Sequence, residues 1–447
     1  MKYHFIYPDI NTNYFPSVHH GIAQLFSVLK KVKHEVSLSH ITKTPSKNEI
    51  HSIIQKENPD YICFTSMSNQ VQYVKQWSKW IKERFDKPII CGGVHATLSP
   101  EDLLNEYIDY VCVGEGEYPL VENSFWHKVN GEIVEGKSYP YISNLDASPF
   151  PDYSLFDVDK ILKRQNGRFP IIVSRGCVYN CYYCSNHALK TKQDGLYFRY
   201  RSVDNVIAQL GLLLSNYPII GFSFADDIFG VSKGWMYEFC DKYPKFINRP
   251  FDCNLRVEMV SDELLKTLKS AGCDKVEMGI ESGNEWIREN MLNRKMSNTQ
   301  IRNAFFLAHK IGLKTRSYNM VGLPCDTIDT IQETIELNKD AKPNEVAVFY
   351  YYPFKGTSLY DVCKEKGYLT EKQATSYVTE SVLNLPTITQ KELKIIYNDF
   401  NRFAIKQHIK HSFVMRNLYK VVSPILKLVT FGNDVNIVRG VYQWLKS

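Results

Sequence analysis

Hydrophobic runs and helical patterns alternate along the first 130 residues. Short apolar runs occur at 3–8 (YHFIYP), 35–41 (EVSLSHI), 61–66 (YICFTS), 88–93 (PIICGG) and 110–116 (YVCVGEG). Between them lie segments such as 69–85, where Val71, Val74, Trp77 (or Ser78), Ile81 and Phe85 fall on one face at helical spacing. Apolar strands alternating with amphipathic helices predict a parallel, doubly wound sheet, because such strands are covered on both faces. The rhythm resumes at 169 and repeats six times, with strands at 169–174, 219–225, 251–257, 275–282, 314–322 and 345–353. Two of the intervening helices run into Gly272 and Gly312, the usual stop residue. Six such units predict an incomplete (β/α) barrel, whose chemistry sits at the C-terminal ends of its strands. Residues 131–168 hold several prolines and no sustained period, so they read as a linker. The expected fold is α/β: a Rossmann-like domain at 1–130, the linker, a partial (β/α)6 barrel at 169–369, and a helical extension at 370–447 that caps the barrel mouth.

Composition narrows the class. The chain has 447 residues, 44% hydrophobic and 23% charged, which excludes a disordered or disulfide-knotted chain. No apolar run approaches a membrane span, and the N-terminus is too polar for a signal peptide, so the expected location is the cytoplasm. The formal charge of +6 is unevenly spread: from Lys391 onward ten Lys/Arg face three acids, leaving a nearly balanced body. A basic tail on a neutral body points to an anionic partner for the tail and away from general nucleic-acid binding. Eleven cysteines in such a chain are expected to be reduced thiols, and eight of them are scattered singly, mostly in apolar runs.

The other three are clustered as Cys177, Cys181 and Cys184, directly after the first barrel strand. Three thiolates do not close a structural zinc site, which needs four ligands, unless His187 serves as the fourth. Iron–sulfur clusters are held by cysteine thiolates, and three on a four-iron cube leave one iron open. Polar and glycine-rich residues also gather at the other strand ends. They are Thr65, Ser66, Gly92, Gly93, His95, Ala96, Gly114, Glu115 and Gly116 in the first domain, and Asp226, Asp227, Arg256, Glu281, Ser282 and Gly322 in the second. Neither GxGxxG nor GxxxxGK[ST] is present, so nucleotide-loop fingerprints are absent.

CxxxCxxC with the aromatic Tyr183 before its last cysteine resembles the radical S-adenosylmethionine signature. CGGVHAT followed by VCVGEGE resembles the cobalamin-binding domain that precedes many such enzymes. The resemblance spans residues 1 to about 367 and implies a [4Fe–4S] cluster on the three cysteines, S-adenosyl-L-methionine on its open iron, and cobalamin on the first domain. FADDIFG is similar to the motif for the cofactor's amino group, implying Ala225, Asp226 and Asp227. MGIESG is similar to the ribose motif, implying Glu281 and Ser282. NMVGLP and YYPFKGT look like adenine-pocket segments, implying Val321, Gly322 and a backbone contact near Tyr352, with another from Tyr183. Thr65, Ser66, Gly92, Gly93, His95, Ala96, Gly114, Glu115 and Gly116 are the implied cobalamin contacts. The DxHxxG motif that supplies a cobalt-ligating histidine in relatives is not reproduced by PDINTNYFPSVHHGIA. The implied cobalt therefore takes no histidine from this loop, with His19 or His20 as the unorthodox alternative.

The family architecture implies methyl transfer to an unactivated carbon: a 5′-deoxyadenosyl radical abstracts hydrogen, and the substrate radical collects methyl from methylcobalamin. Two alternatives remain at this stage: a radical enzyme that cyclises, rearranges or oxidises without methyl transfer, and a corrinoid or cluster sensor without catalysis. Arg256 and Tyr350 are candidate substrate contacts. The expected partners are a small-molecule, lipid or peptide substrate and an electron donor of the flavodoxin or ferredoxin type. The tail residues Lys406, Lys410, Arg416, Lys420 and Lys427, beside VVSPILKLVTF, are candidates for peripheral contact with an anionic membrane. A monomer is expected.

Overall fold

A computed structural model of the chain describes residues 1–10, 17–372 and 376–411. The first domain is a five-stranded parallel sheet: β1 (Lys2–Pro8), β2 (Glu35–Ile41), β3 (Tyr61–Thr65), β4 (Ile89–Gly92) and β5 (Tyr110–Val111) in the order β2-β1-β3-β4-β5. Helices α1 (His20–Lys31), α2 (Lys47–Glu57) and α3 (Val71–Lys82) connect the strands. The face predicted for 69–85 is the one α3 buries: Val71, Val74, Trp77, Ser78 and Ile81. The strand order reverses between β1 and β3, the kind of switch point at which doubly wound sheets open a crevice for ligands.

The second domain is a six-stranded parallel sheet. Its strands are β6 (Arg168–Ile171), β7 (Gly221–Phe224), β8 (Phe251–Leu255), β9 (Cys273–Glu281), β10 (Lys314–Val321) and β11 (Glu345–Tyr350), in sequential order. All six lie where the sequence pattern places them. Serine and threonine caps start the helices outside the sheet: Ser261 before Asp262–Ser270, and Ser297, with Gln300 completing a capping box, before Asn298–Lys310. Those two helices stop at Gly272 and Gly312, both at positive φ. Alternate residues point outward into an aromatic layer. Phe224, Phe229, Phe239, Tyr243 and Phe251 pack there in edge-to-face and tilted pairs at centroid distances of 4.7–6.3 Å.

The stretch read as a linker is well packed. Tyr153, Phe156, Val158, Ile161 and Leu162 are buried in the same core cluster as α1 and β6, so it straps the two sheets together. The helix Gln390–His411, α4 in our numbering, lies against the edge strand β11, with Tyr397 stacked on Tyr350 at 4.1 Å. The helical extension thus covers the open edge of the half-barrel, where unpaired strand groups would otherwise face water. Arg416, Lys420, Lys427 and the apolar stretch near them lie outside the described residues. No helix among the described residues is long and apolar enough to cross a membrane.

Candidate active site between the two sheets

The C-terminal ends of both sheets face one another across a cavity of about 420 Å³, within the range of small-molecule and cofactor sites. One end is apolar and lies between α1 and the first sheet, lined by Phe5, Leu25, Cys63 and Cys112. Its middle is bare backbone from Gly92, Gly93, Gly114 and Gly116, and its far end is Arg175, Gly176, Ala225 and Asp227 of the barrel. Gly93 adopts φ +99°, and a Cβ there would stand 2.8 Å from the Ser66 carbonyl and the Thr65 hydroxyl. Gly93→Ala is therefore expected to lower the melting midpoint by the equivalent of about 1–3 kcal/mol. It should also reduce the cobalt bound per chain, read by metal analysis.

At the barrel end the cysteines follow a two-stranded ribbon that pairs Ser174 and Arg175 with Tyr200 and Arg199. Cys181 is buried, and Cys177 and Cys184 are half-buried. Burial pushes the Cys184 thiol up to about 12 and raises Cys177 as well, so a bound metal would have to drive their ionisation. Arg256, at the end of β8, points Nη1 at Cys181 Sγ from 3.1 Å, lies over the Tyr179 ring at 3.8 Å and is paired with Glu258. That places Arg256 beside the cysteine loop rather than against the cavity, where the sequence reading put it. Tyr350 turns outward onto Tyr397 and belongs to the core under α4. The zinc alternative fails on His187. Its Nδ1 bonds the Cys184 carbonyl at 2.7 Å and its Nε2 accepts from the Ser358 amide at 3.1 Å, leaving no lone pair for a metal. Among the described residues no three His, Cys, Asp or Glu converge on a single ion. Thiolates around a cube each take a different iron, so the trio suits a cluster and not a mononuclear centre.

Asp226 and Asp227 divide their roles. Asp226 Oδ1 accepts from the Val173 and Ser174 amides at 3.0 and 2.6 Å and from the Ser174 hydroxyl, tying the end of β6 to β7. Its Oδ2 is buried without a protein partner, an acceptor that a bound amino group would satisfy. Burial pushes the Asp226 carboxyl up to about 7. Asp227 opens onto the cavity, and the surrounding protein raises its carboxyl against the hydrogen bond from Asn186.

Other predicted contacts sit elsewhere. The Tyr183 hydroxyl donates to Glu281 at 3.1 Å and accepts from Arg294 at 3.2 Å, forming a buried group beneath the cysteine loop. Glu281 stands at φ +67° on a bulge of β9, and its carboxylate fills the space over Gly279. Ser282 accepts from the Asn284 amide within its own turn. Val321 is fully buried, and Gly322 lies under Leu393 of α4. Tyr352 reaches across to within 3.5 Å of the Ser68 carbonyl.

In the first domain Thr65, the four glycines and Glu115 line the cavity, whereas Ser66, His95 and Ala96 do not. Ser66 bonds the Gly92 carbonyl at 3.0 Å, and Ala96 is fully buried. His95 is held between Ser68 at 3.1 Å and Asp102 at 2.9 Å; with Lys75 it keeps the Asp102 carboxyl well below its ordinary range. His19 accepts from the Ile22 amide through Nδ1 at 3.1 Å, which places the ring proton on Nε2, 3.4 Å from Thr65. It is a helix cap with no free nitrogen for cobalt. His20 bonds Tyr153 at 2.9 Å. Burial depresses both rings, His19 to about 4 and His20 to about 3, so both are neutral at pH 7.

The donor set fits the implied groups: three thiols on one loop for the cluster, an orphan carboxylate oxygen for an amine, and a glycine cradle with an apolar end for a bulky corrinoid. Two family models agree. Radical SAM superfamily matches residues 171–337, and B12 binding domain matches 11–123. The chain is a cobalamin-dependent radical S-adenosylmethionine enzyme. An uncharacterised methyltransferase of Pyrococcus horikoshii is 25% identical over 425 residues, 89% of this enzyme and 91% of that protein. The anaerobic magnesium-protoporphyrin IX monomethyl ester cyclase of Cereibacter sphaeroides is 23% identical, over 87% of this enzyme and 67% of its own length. In fold, the enzyme is similar to the radical S-adenosylmethionine methyltransferase TsrM of Kitasatospora setae with cobalamin and a [4Fe-4S] cluster bound. The TM-score is 0.66 at 15% identity, over 82% of this chain and 75% of that one.

Sequence reasoning missed Arg175, Tyr153 and Arg201, which line the cavity, and Gln193 and Arg199, which hold the Glu115 loop beside it. Arg175 carried the one usable signal, since it stands two residues before Cys177, the first of the cysteine trio. The rest come from the strap and from the ribbon and its flanking residues, which have no motif.

Proposed function

We propose that the methyl acceptor of this enzyme is an unactivated carbon of a small molecule admitted between the two sheets. The enzyme is a methyltransferase. When bound, the cluster with S-adenosylmethionine supplies a carbon-centred radical, and cobalamin supplies a methyl group. Cys177, Cys181 and Cys184 would hold the cluster. Asp226 and Asp227 would take the amine of S-adenosylmethionine, and Thr65, Gly92, Gly93, Gly114 and Gly116 would floor the corrinoid. The carrying observation is the single cavity whose opposite ends are the glycine cradle and the barrel residues beside the cysteine loop. A radical route suits this design because an sp³ carbon is not a nucleophile, and walls from both domains would shield the reacting atoms from water.

The electron would come from a flavodoxin- or ferredoxin-type donor. Lys406 and Lys410, on the last turns of α4, leave membrane contact by the basic C-terminal segment as the further reading of that region. Enzyme loaded without oxygen, given methyl-deuterated S-adenosylmethionine and candidate substrates, should place the label in product. Product free of label, with 5′-deoxyadenosine still formed, would move the enzyme to the ring-forming or oxidising class. Enrichment of the full chain on anionic over neutral vesicles is expected if the tail binds lipid, and equal recovery removes that reading.

A further inference from the structure

The loop 114–117, which floors the first-domain side of the cavity, is tied to the barrel by a four-charge group in which Glu117 and Arg199 are buried and Glu115 and Arg175 partly so. Glu115 accepts from Arg175 at 2.9 Å, from Arg199 at 3.0 Å with both oxygens, and from the Ile142 amide at 2.9 Å. Arg175 also donates to Glu117 at 2.6 Å. Burial works against an ionised Glu115, but the two guanidiniums outweigh it and hold the carboxyl below its ordinary value. Arg199 is 4% exposed, lies over the Tyr141 ring at 4.8 Å, and donates to the Tyr197 and Ile142 carbonyls. A second tie is neutral. The Gln193 side chain accepts from the Glu115 amide at 2.8 Å and donates to the Tyr139 carbonyl at 2.9 Å. It lies so close over Gly114 that a Cβ there would stand 2.3 Å from it.

Both arginines project from the ribbon that leads into Cys177, where they are paired neighbours. The next residue, Gly176, stands at φ +81° with its missing Cβ pressed against the Tyr197 carbonyl. A displacement of Arg175 is therefore passed directly to the cysteine loop. The group is charge-balanced, and a buried ion pair of this kind is poor value as stabilisation compared with apolar packing. What it does provide is direction: the Arg175 guanidinium spans Glu115 and Glu117 with its two Nη atoms while Arg199 Nη1 meets both oxygens of Glu115, so few arrangements satisfy all of these bonds together.

We propose that Glu115, Glu117, Arg175, Arg199 and Gln193 are positioning residues that set the glycine cradle against the cysteine loop, so that the two loops move as one unit. This rests on the reading that the cradle takes cobalamin and the cysteines a cluster. The coupling itself resides in the chain and is present without either group.

Hydrogen exchange on the full, cofactor-free chain tests the coupling. Glu115→Gln, which keeps the shape and removes the charge, should accelerate exchange by on the order of tenfold or more at both 113–118 and 174–178, leaving the strands of either sheet unchanged. Acceleration confined to 113–118 overturns the proposal. Gln193→Ala, a milder change, should accelerate the same two segments, and silence at 174–178 counts against it equally. In loaded protein the readout is the magnetic coupling between Co(II) corrinoid and reduced cluster. Wild type should show one well-defined coupling, and Glu115→Gln a broadened or shifted one in the fraction of protein that carries both groups. A coupling identical to wild type overturns the proposal. Wild type that holds neither group overturns the functional reading instead, and the exchange result still stands on its own.

Discussion

Cys181→Ala is expected to abolish the iron–sulfur cluster and, with it, both 5′-deoxyadenosine formation and methyl transfer. Each of three thiolates would hold a different iron, so removing one leaves that iron without a protein ligand, and no other cysteine can replace it. Seven of the remaining eight are buried in core packing, among them Cys91, Cys240 and Cys273, and Cys325 lies in the turn after β10. The loss at Cys181 is sharpened by its neighbour. Arg256 donates to its sulfur, and alanine would leave that buried guanidinium with Glu258 as its ion partner. Iron analysis and the visible spectrum after oxygen-free reconstitution provide the measurement. The expected fall is from about four irons per chain to background, while Cys240→Ala retains wild-type iron. A Cys181→Ala protein that keeps its brown colour and still cleaves S-adenosylmethionine would refute the assignment of the cysteine trio.

The second large effect is on folding. Asp226→Ala removes the acceptor for two backbone amides and one hydroxyl at the point where β6 runs into the cysteine ribbon. Two buried amides left without partners set the cost at about 2–4 kcal/mol near pH 6 in the cofactor-free chain. Asp226→Asn keeps an oxygen in place and is expected to cost much less. The pair also separates hydrogen bonding from titration. Burial raises the folded carboxyl from 3.8 to about 7, so the folded chain binds the extra proton between those values. Its contribution to stability is complete below about pH 4 and is lost as pH rises through 7, a swing on the order of 4 kcal/mol for this one group. Melting midpoints of wild type and Asp226→Asn should thus diverge as pH is raised from 4 to 8, with the asparagine variant relatively more stable at the alkaline end. Parallel midpoints across that range would mean that the carboxyl is ionised throughout. An alanine variant that melts with wild type would show that the amides find other partners.

Helices and strands follow local rules, which is why so much of the architecture was legible. Period-two and continuous apolar runs mark strands, and a 3.6-residue period marks the buried face of α3. Glycine at positive φ ends a helix because other residues pay a steric cost there, as at Gly272 and Gly312. The cysteine spacing was equally plain, since three donors within eight residues must share one loop. Side-chain direction at strand ends was harder. His95, Glu115, Tyr183, Glu281 and Tyr350 all occupy suitable positions in the chain, yet each is committed to another residue of the protein. Tyr350 is the simplest case: one residue along a strand reverses the face, and α4 covers the outer one.

From the sequence alone came the order of elements, the two sheets, the clustered cysteine trio and the glycines of the cradle, because each depends on residues close together in the chain. Tertiary structure decided which polar groups remain free for ligands. Desolvation obliges every buried donor, acceptor and charge to find a partner, and those partners come from distant segments: Arg175 and Arg199 for Glu115, Asp102 for His95, Arg294 for Glu281. The same requirement turned residues 131–168 from a linker into a strap, since Tyr153, Phe156 and Ile161 leave water only by packing against elements of both domains.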